Sequence, residues 1–346
     1  MSALIPALFP KQVREAIIEC FKANLIPMVR SSPGLGKSSI SMQVSDEFKL
    51  EYIDFRASHQ DVTDFNGLPY FNDGTASYLP FDFFPTEDRE LPPGKNGWLL
   101  NLDELTSARK EIQAACFKVL TERKMGNRKL HDKVFIMACG NHDSDNAVVI
   151  NMSTPMQSRL IHIDMISSKD DWIDWALQNN IDSRILAFIE FRPGLLHKFD
   201  PQHTDRTFPC PRTWEFVSKL ITGKTDLKDR LTLALIAGAI SEGTAIEFTD
   251  FCEVYHQLPK IADIVANPDT VSIVSEPGTR YALALMVSEQ FTDTNYVQLL
   301  KFLDRLPIEC RIIALRAVRE RNPSIIRKPE MAERLQTYVK MVNGVQ

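Results

Sequence analysis

The chain has 346 residues, 44% of them hydrophobic and 25% charged, enough apolar content for at least one large core and a length that suits two or three domains better than one. Its formal net charge of −5 at pH 7 argues against any global electrostatic pull toward nucleic acid or an anionic membrane. The six cysteines, Cys20, Cys116, Cys139, Cys210, Cys252 and Cys310, are scattered without CxxC or Cys/His metal spacing and read as reduced core residues.

In chain order, residues 1–10 carry no charged side chain and are interrupted by Pro6 and Pro10. They lack the basic-then-apolar pattern of a secretory signal, and no 18-residue apolar span follows, so a cytoplasmic protein that does not enter a membrane is expected. The apolar run 25–29 predicts a strand. It delivers Ser31-Ser32-Pro33-Gly34-Leu35-Gly36-Lys37-Ser38, a phosphate-binding loop that opens onto a helix at 38–48. In such a loop the glycines let backbone N–H groups close around phosphate oxygens, the lysine reaches the β- and γ-phosphates, and the hydroxyl at Ser38 ligates Mg²⁺. Ser32, Pro33, Gly34, Leu35, Gly36, Lys37, Ser38 and Ser39 are therefore the candidate nucleotide contacts. Ser31 stands where the usual pattern begins with glycine, and serine tolerates positive φ less readily, so the start of the loop is either unstrained or slightly different in shape.

Further strands are predicted at 52–55, 98–102, 134–139 and 161–165, with a helix at 108–122, the alternation that a parallel sheet requires. Between the second and third strands lies 70–93, rich in Pro, Gly, Asp and Phe, where Asn72-Asp73-Gly74 signals a hairpin turn. The Phe81-Asp82-Phe83-Phe84-Pro85 cluster either touches a partner or packs on its own domain, since so many aromatics are costly to leave bare.

The run Trp98-Leu99-Leu100-Asn101-Leu102-Asp103-Glu104 is an apolar strand ending in two carboxylates. Ligands sit at the carboxyl ends of strands in an open α/β sheet, so Asp103 can reach Mg²⁺ through water while Glu104 orients the attacking water. An Asp-Glu pair capping the following helix is the equal alternative when the pair is taken alone. Asn101 interrupts the apolar run. The next strand ends in Cys139-Gly140-Asn141, where the amide either holds the same water or merely makes a turn.

After about residue 168 the pattern is helical, with breaks at 200–211 and 267–278. Trp172 and Trp175, three apart on a helical pattern, read as core. His162, His197, His203 and His256 show no metal-ligand spacing, and His131, beside a polar turn, is expected to be exposed. From Arg305 to Lys340 nine basic residues (Arg305, Arg311, Arg316, Arg319, Arg321, Arg327, Lys328, Arg334, Lys340) face four acidic ones (Glu309, Glu320, Glu330, Glu333). Without an aromatic ladder this reads as a solvated helix face before a nucleic-acid patch.

The series formed by the phosphate loop, Asp64–Pro69 (Asp-Phe-Asn-Gly-Leu-Pro), Leu102–Thr106 (Leu-Asp-Glu-Leu-Thr), Cys139–Asn141, Gln157–Arg159 (Gln-Ser-Arg) and Pro211–Trp214 (Pro-Arg-Thr-Trp) resembles the MoxR branch of the AAA+ ATPases over about residues 5–260. The resemblance implies an α/β AAA+ P-loop core with a parallel sheet over 1–166 and a helical lid over 167–260; the helical pattern beyond it predicts a helical C-terminal extension over 261–346. It implies ATP and Mg²⁺ as ligands, with Lys37 and Ser38 in the Walker A roles, Asp103 and Glu104 in Walker B, and Asn141 as the sensor-1 residue. Arg159 matches the arginine finger inserted into a neighbouring subunit's site, and Arg212 matches sensor 2. Ser31, Asn101 and His142, which stands where proline is usual, depart from the pattern. The implied activity is ATP hydrolysis by a ring of copies, a hexamer, that remodels a protein client with a von Willebrand factor A domain partner. A nucleic-acid motor and a scaffold that binds but barely hydrolyses nucleotide are the other readings, the last disfavoured by the presence of both Asp103 and Glu104.

Overall fold

The computed structural model describes residues 6–145, 150–255 and 258–342, with the side chains of 72, 143, 254–255, 336 and 338–342 outside the description. The chain divides into two compact units, Met1–Ser168 with Asp200–His203, and Lys169–Phe199 with Thr204–Gln346. No helix among the described residues is long and apolar enough to cross a membrane.

In the first unit, helix α1 (Pro10–Lys22) leads into β1 (Ile26–Arg30), α2 (Lys37–Glu47) and β2 (Leu50–Arg56). A short helix α3 (Val62–Asn66) then precedes the hairpin of β3 (Leu68–Asn72) and β4 (Thr75–Leu79). Strand β5 (Gly97–Asp103), helix α4 (Lys110–Glu122), the two-residue strands β6 (Lys124–Met125) and β7 (Arg128–Lys129), strand β8 (Val134–Gly140), the single turn α5 (Thr154–Gln157) and strand β9 (Leu160–Asp164) complete it. Five strands form one parallel sheet in the order β2-β5-β8-β1-β9. Alternating residues of each strand face opposite sides. Leu99 of β5 and Val29 of β1 pack with Val13 and Ile17 of α1 and Ile40 and Val44 of α2, while Trp98, Leu100 and Leu102 pack with Ile112, Cys116 and Val119 of α4. Helices thus cover both faces, and β5 is buried along its whole length, as a central strand of a parallel sheet must be.

The hairpin follows from its turn, with Asp73 at φ +45° and Gly74 at φ +79°, both positive as a two-residue turn between right-twisted strands demands. The aromatic cluster divides: Phe84 is buried against Phe55 with its ring tilted against Phe83, whereas Phe83 is exposed and stacks with Phe81. The outer strand residues Leu68, Phe71, Tyr78 and Leu79 remain exposed, Phe71 by 85%. Around residue 126 the polar turn is the tiny β6–β7 hairpin, and His131 is half-buried with its ring 5.1 Å from that of Trp98, not exposed as its polar neighbours suggested.

The second unit is helical throughout its described elements. Trp172, Phe188, Trp214 and Phe248 anchor one core cluster, with Trp175 packed against it, and Leu299, Phe302, Leu315 and Val318 a second. The Trp214 indole satisfies its buried N–H on the Leu195 carbonyl at 2.8 Å. Helix starts are capped by side chains: Asp229 accepts from the Leu231 and Thr232 amides, and Glu276 from those of Gly278 and Thr279. Most of the basic tail is tied within the unit. Arg316 pairs with Asp174, Arg321 with Glu289, Lys328 with Asp293, Arg334 with Asp304 and Arg319 with Glu320. Arg305 donates to the Pro268 and Val271 carbonyls and Arg311 to that of Leu306. The Lys340 side chain lies outside the described residues. All six cysteines are buried and free.

Candidate nucleotide site

Three neighbouring strands, β5, β8 and β1, end side by side, and each carboxyl end carries one part of the candidate site. Past β1 the chain turns through Gly34 at φ +80° and Gly36 at φ +87°. These left-handed conformations suit glycine alone without strain, and Gly36 becomes the N-cap of α2. The first turn of α2 therefore points its amides and the positive end of the helix dipole at the loop. Ser31 is fully buried, its amide bonded to the Gly140 carbonyl at 3.3 Å, and it is absent from the residues with positive φ. Serine is accommodated there because the backbone does not need glycine.

The Lys37 ammonium donates to the Ser31 carbonyl and hydroxyl, each at 3.0 Å, to the Ser32 carbonyl at 3.5 Å and to Asn141 Oδ1 at 3.0 Å. The Ser38 hydroxyl donates to Asp103 Oδ2 at 2.9 Å. Asp103 Oδ1 accepts from the Glu104 amide at 2.8 Å, and the Glu104 carboxylate accepts from the Ser58 hydroxyl. Glu104 itself sits at φ +55°, an uncommon conformation for a side-chain-bearing residue and one that the surroundings must enforce. It begins the tight turn Leu105–Ser107 without making a side-chain cap. The helix-capping alternative for the Asp-Glu pair is therefore not what the carboxylates do. Asn141 is fixed from behind: its amide donates to the Thr106 hydroxyl at 3.1 Å, and a Cβ at Gly140 would lie 2.6 Å from Thr106 Oγ1, so only glycine lets the two strand ends approach this closely. Lys37, Ser38, Asp103, Glu104 and Asn141 are thus brought together, with Ser32, Pro33, Gly34, Leu35, Gly36 and Ser39 supplying or flanking the loop.

The donor set suits Mg²⁺ and a polyphosphate. A hydroxyl and a carboxylate oxygen, already in contact, are the hard ligands that Mg²⁺ takes, and beside them stand an ammonium and a helix N-terminus for anionic oxygens. Among the described residues no cluster of three or more His, Cys, Asp or Glu forms another metal site. Asn101, on the same face of β5 as Asp103, is buried and donates to the Tyr52 hydroxyl at 2.9 Å, while its Oδ1 has no partner. This bond explains how a polar residue is tolerated inside the strand. Burial pushes the Cys139 thiol up to about 12, with the Asp103 carboxylate adding to it, so it stays protonated beneath the site at neutral pH.

Arg159 is not in this cluster. Arg159 immediately precedes β9, whose Leu160 lies level with Ile26 at the start of β1. The phosphate loop leaves from the other end of β1, so Arg159 stands roughly 20 Å away along the strands, beyond side-chain reach of its own loop. It is exposed, donates to the Pro155 carbonyl at 2.9 Å and lies over the Phe117 ring at 5.1 Å. Arg212 belongs to the second unit, exposed in the first turn of the helix Pro211–Ile221.

Sequence reasoning missed Ser58 and Asp145, and it gave Thr106, the last residue of the Leu102–Thr106 run, no role of its own. Asp145 Oδ1 accepts from the Ser32 hydroxyl at 3.3 Å, with the carboxylate 8% exposed and Oδ2 without a partner. Neither Ser58 nor Asp145 lies in a motif whose spacing reveals it. Each reaches the site from a different loop.

No family model matches this chain, and no curated protein matches it. Among solved structures it is similar to a putative ATPase from Cytophaga hutchinsonii, at 12% identity and a TM-score of 0.37, over 95% of this chain and 88% of that one. It is also similar to NtrX from Brucella abortus in complex with ATP, at 14% identity and a TM-score of 0.39, over 98% of this chain and 69% of that one. At such identities these are likenesses of fold.

Proposed function

We propose that the chain is a Mg²⁺-dependent ATPase of MoxR type, built from a nucleotide-binding core over 1–166, a helical lid over 167–260 and a helical extension over 261–346. The observation that carries this reading is the convergence of Lys37, Ser38, Asp103, Glu104 and Asn141 at the carboxyl edge of a parallel sheet ordered β2-β5-β8-β1-β9. Phosphoryl transfer asks the protein for positioning and for positive charge where the transition state is anionic. Lys37 and the α2 amides supply the charge. Ser38 and Asp103 would hold Mg²⁺, which would supply positive charge toward the phosphate. Glu104, released from Ser58, and Asn141 hold the attacking water, while Arg212 contacts the γ-phosphate from the lid.

Arg159 acts on a neighbouring copy, because its place at the opposite edge of the sheet keeps it from its own loop. The working form is accordingly a ring, a hexamer by resemblance. The work done is remodelling of a protein client together with a von Willebrand factor A domain partner. A nucleic-acid motor is the alternative class, and the basic tail gives it little support, since most of its cations are held by carboxylates and carbonyls of the same unit.

Labelled-ATP binding tests the core of the reading. Lys37→Ala removes a main countercharge for the β/γ-phosphates and should abolish binding at concentrations that saturate the natural chain; unchanged affinity would sink the loop assignment. Stimulation of hydrolysis by a partner protein and not by DNA is expected, and steep stimulation by DNA would move the chain to the alternative class.

A further inference from the structure

A line of polar contacts runs from the phosphate loop to the turn that carries Arg159. Arg30 is the last residue of β1, next to Ser31, on which the Lys37 ammonium rests. Its guanidinium NH2 donates to His162 Nδ1 at 2.8 Å, and its buried Nε has no partner. Asp164 is the register partner of Arg30 on β9, yet the hydrogen bond goes to the imidazole. Because a guanidinium can only donate, Nδ1 must accept and the ring proton must sit on Nε2. That nitrogen lies 2.9 Å from the Gln157 carbonyl, which accepts the Nε2–H hydrogen bond and so fixes the tautomer. Gln157 closes α5 two residues before Arg159, and its side-chain amide donates to the Met152 carbonyl at 3.1 Å. The turn is held from two sides, one of them through His162.

From this geometry we infer that His162 is a positioning residue, coupling the phosphate loop of one copy to the finger which that copy offers its neighbour. The inference rests on the proposed ATPase reading and specifies how its two halves communicate. Phosphate competes with Ser31 and Asn141 for the Lys37 ammonium, so ligand arrival is felt at Ser31 and thus at Arg30. His162 is the side chain that joins Arg30 to the Gln157 carbonyl. Its role lies toward the copy receiving Arg159, not toward its own nucleotide.

Mixed assemblies separate this from other roles. His162→Ala alone should bind ATP normally and hydrolyse it on the order of 10²-fold more slowly, the scale of misplacing a catalytic contact by about an ångström. Mixed with Lys37→Ala, whose finger is sound, it should regain activity, because its own loop receives a good finger. Mixed with Arg159→Ala it should not, because neither copy offers a well-placed finger. The opposite pattern, rescue by Arg159→Ala and none by Lys37→Ala, would place His162 with its own loop and overturn the inference. So would equal rescue in both mixtures, or a hydrolysis rate unchanged by the substitution.

Arg30→Met removes the donor at the other end of the same contact and repeats the test should His162→Ala prove unfolded; the same asymmetry is expected of it, and its absence counts against the coupling. His162→Gln, which keeps one donor and one acceptor, should return hydrolysis to within a few fold of the natural chain, whereas a general packing role would leave it no better than alanine. Lys37→Ala mixed with Arg159→Ala is the control. No rescue there, with co-assembly shown, defeats the ring reading together with this inference, while rescue there without the asymmetry defeats the inference alone.

Discussion

The two edges of the five-stranded sheet are built to different rules. At the carboxyl edge, polar groups face one another at hydrogen-bond distance: Lys37 on Asn141, Ser38 on Asp103, Glu104 on Ser58, with Glu104 held at positive φ and Asp145 buried with one carboxylate oxygen unpartnered. At the amino edge, Arg159 is exposed and lies over an aromatic ring, bonded to a local carbonyl and to Ser158. Strain and crowding of polar groups collect where chemistry is proposed to occur in the same chain. A relaxed, outward arginine suits a group meant for another molecule. Under the proposed reading, one sheet would offer a site at one edge and the complement of a site at the other, as a head-to-tail ring requires.

The comparison breaks most visibly at Arg159. Arg159→Ala should retain ATP binding and lose hydrolysis on the order of 10³-fold or more, the scale of arginines that act in trans, and mixing with Lys37→Ala should restore part of the rate. A variant that loses binding as well would put Arg159 at its own site and erase the distinction between the edges.

Glu104→Gln should bind nucleotide and hydrolyse it roughly 10²- to 10⁴-fold more slowly, since the water loses its carboxylate partner while Asp103 remains. Single-turnover hydrolysis at the natural rate would show that the strained conformation of Glu104 serves structure alone. The same variant, holding ATP, is the one in which a bound client should co-purify.

Stability should separate the sheet centre from the hairpin. Leu100→Ala, in the fully buried central strand, should cost about 2–5 kcal/mol, read from denaturant midpoints at a constant slope. Phe71→Ser, on the exposed outer hairpin, should change stability by less than about 0.5 kcal/mol. A large loss at Phe71 would mean that the hairpin is covered in solution and would reassign its apolar face to an interface.

The loop, the strands around it and the carboxylate pair were legible in the sequence because each is a local pattern. Gly34 and Gly36 mark left-handed backbone, the run 98–102 marks a buried strand that ends in two carboxylates, and Asn72-Asp73-Gly74 marks a two-residue turn. Local sterics and hydrophobic periodicity determine such features over a few residues. The sequence left open whether Asp103 and Glu104 serve a site or a helix cap, and whether the Phe81–Phe84 aromatics face a partner or their own core. Tertiary structure places Asp103 against Ser38 rather than on a helix end and packs Phe84 against Phe55 while leaving Phe83 exposed, because each outcome depends on residues tens of positions away that only strand pairing brings near. The same holds for Ser58, Asp145 and His162. Nothing in their neighbours marks them, and they acquire partners through the parallel register of β1, β5, β8 and β9, a long-range property that no local window contains.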